Sequence, residues 1–125
     1  MGIEKFTDLE VWKFAHRAVL ETYRITRSFP SDERFGLIQQ MRRAAVSIPA
    51  NIAEGFGRRK PKDKIRFYNI SQASLEEVRY YMILAKDLEY LQELTSLGGL
   101  LDSSARMLKR LISSISGSGG SSPYA

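Results

Sequence analysis

The chain has 125 residues, of which 43% are hydrophobic and 26% charged, a balance typical of one globular domain. It contains no cysteine, which excludes a disulfide scaffold and any cysteine-based metal or nucleophile site. No segment approaches the run of about 18 apolar residues that a membrane helix needs. Near the N-terminus, Glu4 and Lys5 stand where a signal peptide would be apolar. We therefore expect a cytoplasmic protein with no membrane partner.

The positive charge is concentrated in one short segment. The chain carries 19 basic and 14 acidic residues, a net charge of +5. Six of the basic residues and one acidic residue lie within residues 58–66, so the rest of the chain holds 13 of each sign. A local excess of this kind favours an anionic partner. A net charge of this size is also common in small domains, where it keeps the protein soluble.

The first segment with helical periodicity runs from about residue 8 to residue 29. Thr7 and Glu10 have the spacing of a capping box at its start, and Pro30 disfavours helix at the residue before it. Ser31 is then predicted to cap the second helix. Apolar residues recur along the first helix every three or four positions: Leu9, Trp12, Ala15, Val19 and Tyr23.

The second helix is predicted over about residues 32–56. Pro49 lies inside the pattern and should kink this helix without ending it, because the apolar period continues beyond it. Gly55 and Gly57 are predicted to end it. Its core stripe is Leu37, Met41, Ala45, Ile48 and Ile52.

Two further helices follow, over about residues 61–91 and 96–116. The predicted apolar face of the third consists of Phe67, Ile70, Val78, Tyr81, Ala85 and Leu88. Short connections between amphipathic helices predict an all-α fold, an antiparallel up-down-up-down four-helix bundle over residues 1–116. The remaining residues, 117–125, are rich in Ser and Gly and predict a flexible tail.

A set of polar residues accompanies the core stripe of the second helix. Ser47, Asn51 and Glu54 share one face because they are four and three residues apart, and the third helix offers Ser74 and Glu77. These residues are either an acid/base or metal site or a structural hydrogen-bond network between the two helices. Two carboxylates with no nearby histidine make a poor metal set, so we favour the network and predict no metal site and no catalytic residue. His16, the only histidine, is predicted to be a hydrogen-bonded core residue.

A second face of the second helix carries small apolar side chains: Val46, Pro49, Ala50 and Ala53. Apolar residues away from the core of an isolated bundle often mark an interface. We therefore predict that this face joins copies of the chain in a homo-oligomer.

The basic segment is the candidate RNA-binding surface, through Arg58, Arg59, Lys60, Lys62, Lys64 and Arg66. The aromatic pair Phe67 and Tyr68 follows it directly, and nucleic-acid surfaces often combine amines with aromatic rings. No motif for base-specific recognition is present, so contacts to phosphates are expected. The alternative is a solvated loop.

Several segments resemble the four-helix-bundle family encoded by intervening sequences in bacterial 23S ribosomal RNA genes, also called S23 proteins. The most specific of them is residues 40–58. The resemblance implies an antiparallel bundle assembled as a ring, commonly a pentamer, with no established enzyme activity. The family is similar in architecture to accessory proteins of diversity-generating retroelements, which bind a reverse transcriptase and its template RNA. Ala73 stands where the family usually has glycine. The matching segments, within residues 6–91, are 9–12, 29–30, 40–58, 66–68 and 74–77.

Together these observations predict a non-catalytic, homo-oligomeric RNA-binding bundle without a cofactor. The alternative is a protein-binding accessory protein, for example for a reverse transcriptase. A third class, an enzyme using Glu54 and Glu77, is the least favoured.

Overall fold

The computed structural model of the chain describes residues 2–91 and 95–117. Four α-helices occupy most of this part: α1 (Glu10–Thr26), α2 (Leu37–Phe56), α3 (Pro61–Asp87) and α4 (Leu97–Gly117). Two single-turn 3-10 helices, Phe6–Asp8 and Ser31–Glu33, precede α1 and α2. No strand occurs among the described residues, so the all-α prediction is confirmed. Of the predicted tail, 117–125, residue Gly117 ends α4 and residues 118–125 lie outside the described part.

The helices pack as a bundle in which each has two neighbours. α2 packs on α1 and α3, and α4 also packs on α1 and α3. The core runs through all four helices, and the predicted stripe of α2 is confirmed: Leu37, Met41, Ala45, Ile48 and Ile52 are all buried. Burying a large aliphatic side chain stabilises a fold by about 1.5–3 kcal/mol, so this stripe is a main source of stability.

The buried face of α3 differs from the predicted one. Val78 and Ala85 are buried as expected, but Ile70 is 41% exposed and Leu88 45% exposed. Ser71, which was not expected on the core side, is fully buried beside Ser74. The buried face of α3 is therefore rotated around the helix axis from the predicted one. Hydrophobicity alone does not place that face, because small polar residues with hydrogen-bond partners can also be buried.

The starts of α1 and α2 also differ from the predictions. Thr7 lies within a 3-10 helix, and Asp8 accepts hydrogen bonds from the amides of Glu4 and Lys5 at 3.1 and 3.0 Å, so the Thr7–Glu10 capping box is wrong. α2 begins at Leu37, five residues later than predicted. Its first amide donates to the Glu33 carboxylate at 3.0 Å, so this side chain, and not Ser31, satisfies the start of the helix.

α3 ends at Asp87, four residues before the predicted end. Glu89 has a φ of 64°, the left-handed conformation that terminates many helices. The amide of Tyr90 donates to the Ala85 carbonyl at 2.8 Å, and the amide of Glu89 donates to the Lys86 carbonyl at 3.0 Å. These two bonds form a Schellman motif, which closes α3 without a glycine.

Candidate nucleic-acid interface at the junction of α2 and α3

The basic segment forms the connection between α2 and α3 and the first two turns of α3. Lys60 is the residue before α3, and Pro61 begins that helix, where its missing amide hydrogen is not needed. The side chains of Arg58, Arg59, Lys60, Lys62 and Arg66 are exposed, whereas Lys64 is half-buried. The six predicted RNA-binding residues therefore lie at one end of the α2–α3 pair but differ in their surroundings.

Lys64 is directed back onto the end of α2. Its ammonium group donates to the carbonyls of Phe56 and Gly55 at 2.8 and 3.3 Å and lies 5.6 Å from the centre of the Phe56 ring. The carbonyls in the last turn of a helix lack partners within the helix and carry partial negative charge. Partial burial of the Lys64 amine lowers its pKa. Lys64 is thus a C-terminal cap of α2, and its predicted role in RNA binding stays a prediction.

Arg58 and Arg66 share one aromatic ring. Their guanidinium carbons lie 4.6 and 4.9 Å from the centre of the Phe67 ring, within the range of cation–π attraction. Arg58 also donates to the Glu54 carboxylate at 3.1 Å. These two cations are held in place and remain exposed to solvent.

Arg59, Lys60 and Lys62 have neither an ion-pair partner nor a side-chain hydrogen bond within residues 2–91 and 95–117. These three cations without an ion-pair partner thus lie near Arg58 and Arg66, which are held against the Phe67 ring. This arrangement can bind several phosphates and leaves an aromatic–guanidinium surface for a base.

Three of the five predicted network residues are brought together. The Ser74 hydroxyl donates to the Ser47 hydroxyl at 2.8 Å, and the Asn51 amide donates to the same hydroxyl at 3.0 Å and to the Ser47 carbonyl at 2.8 Å. The two carboxylates do not take part. Glu54 accepts from Arg58, which lies two residues beyond the end of α2, at 3.1 Å, and Glu77 accepts from the Tyr81 hydroxyl of its own helix at 2.7 Å. Both carboxylates are exposed, so solvent satisfies them and no partner across the helices is needed.

Sequence reasoning missed one further link between α2 and α3. The buried Ser71 hydroxyl donates to the Ile48 carbonyl at 2.8 Å. Ser71 is one α-helical turn before Ser74 and Leu75 on the buried face, a spacing that could have placed it in the network. The α2–α3 contact is therefore joined by hydroxyl groups and not by carboxylates.

The whole sequence was also compared with known proteins. The family model for the 23S rRNA-intervening sequence protein matches residues 7–110. This chain belongs to that family. The resemblance found on residues 40–58 is thereby confirmed, and the match extends into α4. No curated protein matches the sequence. Within the described residues, none of the helices has the length and apolar character that crossing a membrane requires.

The predicted oligomer face on α2 needs one correction. Val46 is 41% exposed, Ala50 is exposed and Ala53 is half-buried, but Pro49 is buried in the subunit itself. Pro49 lies four residues after Ala45 and three before Ile52, both fully buried, so helical spacing places it on the core side. The outer face of α2 is therefore narrower than predicted.

A groove on this outer face was not predicted. It has a volume of about 660 Å³, and its lining contains three arginines and no acidic residue. Phe35 at its edge is 80% exposed. We call it the basic groove; it is lined by Tyr23, Arg34, Phe35, Ile38, Gln39, Arg42, Arg43, Val46, Ser47, Ala50 and Asn51.

The three arginines of the basic groove have different surroundings. Arg42 donates to the Thr26 hydroxyl at 2.8 Å and to the Tyr23 carbonyl at 3.3 Å, which ties α2 to α1. Arg34 lies 5.8 Å from the centre of the Phe35 ring. Arg43 is exposed and has no hydrogen-bond or ion-pair partner in the described part of the chain. Counting charge along the sequence conceals this second positive surface, because acidic residues elsewhere balance it.

His16 is half-buried and stacks on Trp12, with ring centres 4.9 Å apart, so it belongs to the edge of α1 and not to the core. Among the described residues, no three His, Cys, Asp or Glu side chains lie close enough together to hold a metal ion.

Proposed function

We propose that this chain is a non-catalytic, homo-oligomeric RNA-binding protein. Its bundle is antiparallel, up-down-up-down, and assembles as a ring, with five subunits as the expected number. It contacts RNA phosphates through the basic segment at the junction of α2 and α3. The observation that carries the proposal is a group of exposed cations, Arg59, Lys60 and Lys62, that have no ion-pair partner in the described part of the chain. Membership of the 23S rRNA-intervening sequence family supports an association with RNA.

The physical basis is counterion release. Each phosphate that a cation neutralises frees a condensed counterion, which makes binding favourable at low salt and insensitive to sequence. Arg58 and Arg66, held over Phe67, add a flat cationic surface on which an unpaired base can stack. A ring would bring several copies of the segment into one assembly, and multivalent binding would then strengthen a weak contact of each subunit.

The surroundings of the carboxylates support a non-catalytic role. Glu54 and Glu77 are exposed and engage Arg58 and Tyr81, each four residues later in the chain, and neither is held in a closed pocket. Catalytic carboxylates usually lie in a concave pocket that receives the substrate.

The RNA test uses two variants of equal charge. The first replaces Arg59, Lys60 and Lys62 with Gln, and the control replaces three exposed cations of α4, Arg106, Lys109 and Arg110, with Gln. Binding of a structured RNA is titrated against salt. The first variant should bind more weakly, and its log–log salt slope should flatten by about 0.7 for each lost contact to single-stranded phosphate. The control should retain most of the affinity.

Equal affinities for all three proteins would show that the segment is only a solvated loop, and a protein-binding accessory role would take its place. Equal losses in the two variants would assign binding to net charge and not to this segment.

The oligomer test uses Ala50→Arg. A charge placed in a dry interface is costly, so this variant should dissociate without losing helicity. Light scattering reports the mass, and a wild-type protein that stays at 14.2 kDa at micromolar concentration would end the oligomer proposal.

A further inference from the structure

The basic groove is too apolar and too positive to be an ordinary solvated face. Phe35 is 80% exposed and Val46 41% exposed, and both line the groove together with Arg43. Exposed apolar groups gathered in a concave surface usually mark an interaction site. The absence of any acidic residue from the lining means that a partner must supply the negative charge.

Two copies of the basic groove cannot pair with each other. In a twofold interface the same patch faces itself, so Arg34 and Arg43 of one subunit would approach the same arginines of its partner. Like charges brought together in this way oppose association. If another copy covers the groove, it must therefore use a different surface.

The outer side of α3 offers the complementary surface. Tyr80 is 56% exposed and Ile83 59% exposed. Glu77 and Asp87 are exposed and have no basic partner in the described part of the chain. Spacings of three and four residues align these side chains on one side of the helix. We call this the acidic face of α3: Glu77, Tyr80, Ile83 and Asp87. The neighbouring Glu76 is paired with Arg79 of the same helix.

We propose that the basic groove of one subunit receives the acidic face of α3 from the next subunit. The inference rests on the oligomer proposed above and adds which two surfaces meet. Its basis is complementarity in both charge and apolar character between two faces of the same chain. A contact between two different patches is heterologous, and repetition of such a contact closes a ring or extends a filament. A contact of this kind is therefore compatible with the proposed ring.

The first test is a charge exchange. Arg43→Glu places two acidic faces opposite each other, and Glu77→Lys places two basic ones, so each variant should fall to the 14.2 kDa mass of a single chain. The double variant Arg43→Glu with Glu77→Lys restores opposite charges and should regain the wild-type mass. Lys109→Glu, an exposed reversal on α4, is the control and should leave the mass unchanged. Circular dichroism checks that every variant stays helical.

The second test leaves these charges unchanged and uses the absence of native cysteine. A chain carrying both Val46→Cys and Tyr80→Cys should form disulfide-linked multimers under mild oxidation. A chain with Val46→Cys alone should not crosslink to itself, and one with Val46→Cys and Lys109→Cys is the control for random collision.

The outcomes separate the two proposals. A wild-type oligomer whose mass survives Arg43→Glu, or a Val46→Cys chain that crosslinks with itself, would overturn this interface and leave RNA binding intact. Single variants that dissociate while the double variant does not recover would also overturn it. A monomeric wild type would overturn both the interface and the oligomer.

Discussion

The backbone of Gly55 lies directly against the ring of Tyr68. A Cβ atom on residue 55 would lie 2.6 Å from Cε1 and 2.9 Å from Cδ1 of that ring, both closer than real contacts allow. Tyr68 is almost completely buried, and burial raises the pKa of its hydroxyl. Gly55 lies inside α2, so it does not end the helix as predicted; it permits close approach of α3.

Gly55→Ala should therefore destabilise the bundle by about 1–3 kcal/mol, the usual cost of overpacking. Gly57→Ala is the matched control, since a Cβ there would meet only ordinary contacts at 3.7 and 3.9 Å. The control should change stability little, and urea denaturation at fixed protein concentration compares the two. Equal stability of both variants would show that Tyr68 moves aside freely.

Asn51→Ala should lower stability by about 1 kcal/mol, because it removes the amide that binds both oxygens of Ser47. Gln40→Ala is the control, an exposed amide of the same helix, and should have little effect. Thermal denaturation measures the difference. An unchanged melting temperature combined with loss of RNA binding would assign Asn51 to function and not to structure.

Lys64→Met should destabilise the bundle by about 1 kcal/mol, because the carbonyls at the end of α2 lose a charged donor. Lys62→Met, two residues earlier and exposed, should not. Urea midpoints of the two variants give the comparison. If Lys62→Met were the more destabilising, the capping role of Lys64 would be wrong.

The folding stability at high pH should depend in part on the ionisation of Tyr81. The hydrogen bond from its hydroxyl to Glu77 raises the pKa of Tyr81 to about 12. The folded state then keeps a proton that the unfolded state loses near its ordinary value of about 10. The stabilisation that this hydrogen bond contributes is thus fully present below pH 10 and is lost as the pH rises toward 12.

Tyr81→Phe should make the fall in stability between pH 8 and pH 11 smaller, and urea midpoints at the two values measure it. Tyr80→Phe, on the neighbouring and more exposed ring, is the control. A fall of the same size in wild type and Tyr81→Phe would exclude this hydrogen bond as a source of the dependence.

Glu89→Gly should stabilise the bundle, since glycine adopts a φ of 64° without the roughly 1 kcal/mol penalty of an L side chain. Lys86→Gly, in the last turn of α3, should instead destabilise it by about 1 kcal/mol. A rise in the melting temperature for Glu89→Gly and a fall for Lys86→Gly would confirm the termination motif. A fall in both variants would contradict it.

Periodicity alone determined the four helices, the buried stripe of α2 and the helical path through Pro49. It could do so because these properties belong to one segment and its own apolar face. The family was also identifiable from the sequence, since residues 40–58 carry a long and specific pattern. The basic segment was found from charge counts, although those counts could not separate Lys64 from its neighbours.

Tertiary packing decided which residues share an environment. Ser71 is buried and Ile70 is not. The Ser71 hydroxyl can be buried because it donates to the Ile48 carbonyl, and the hydrophobicity of the sequence does not predict such a partner. Lys64 is a cap because α3 begins beside the end of α2. The basic groove combines Tyr23 of α1 and Arg34 before α2 with Arg43 within α2. The two arginines contribute to one positive surface, and that surface exists only when the helices are packed together.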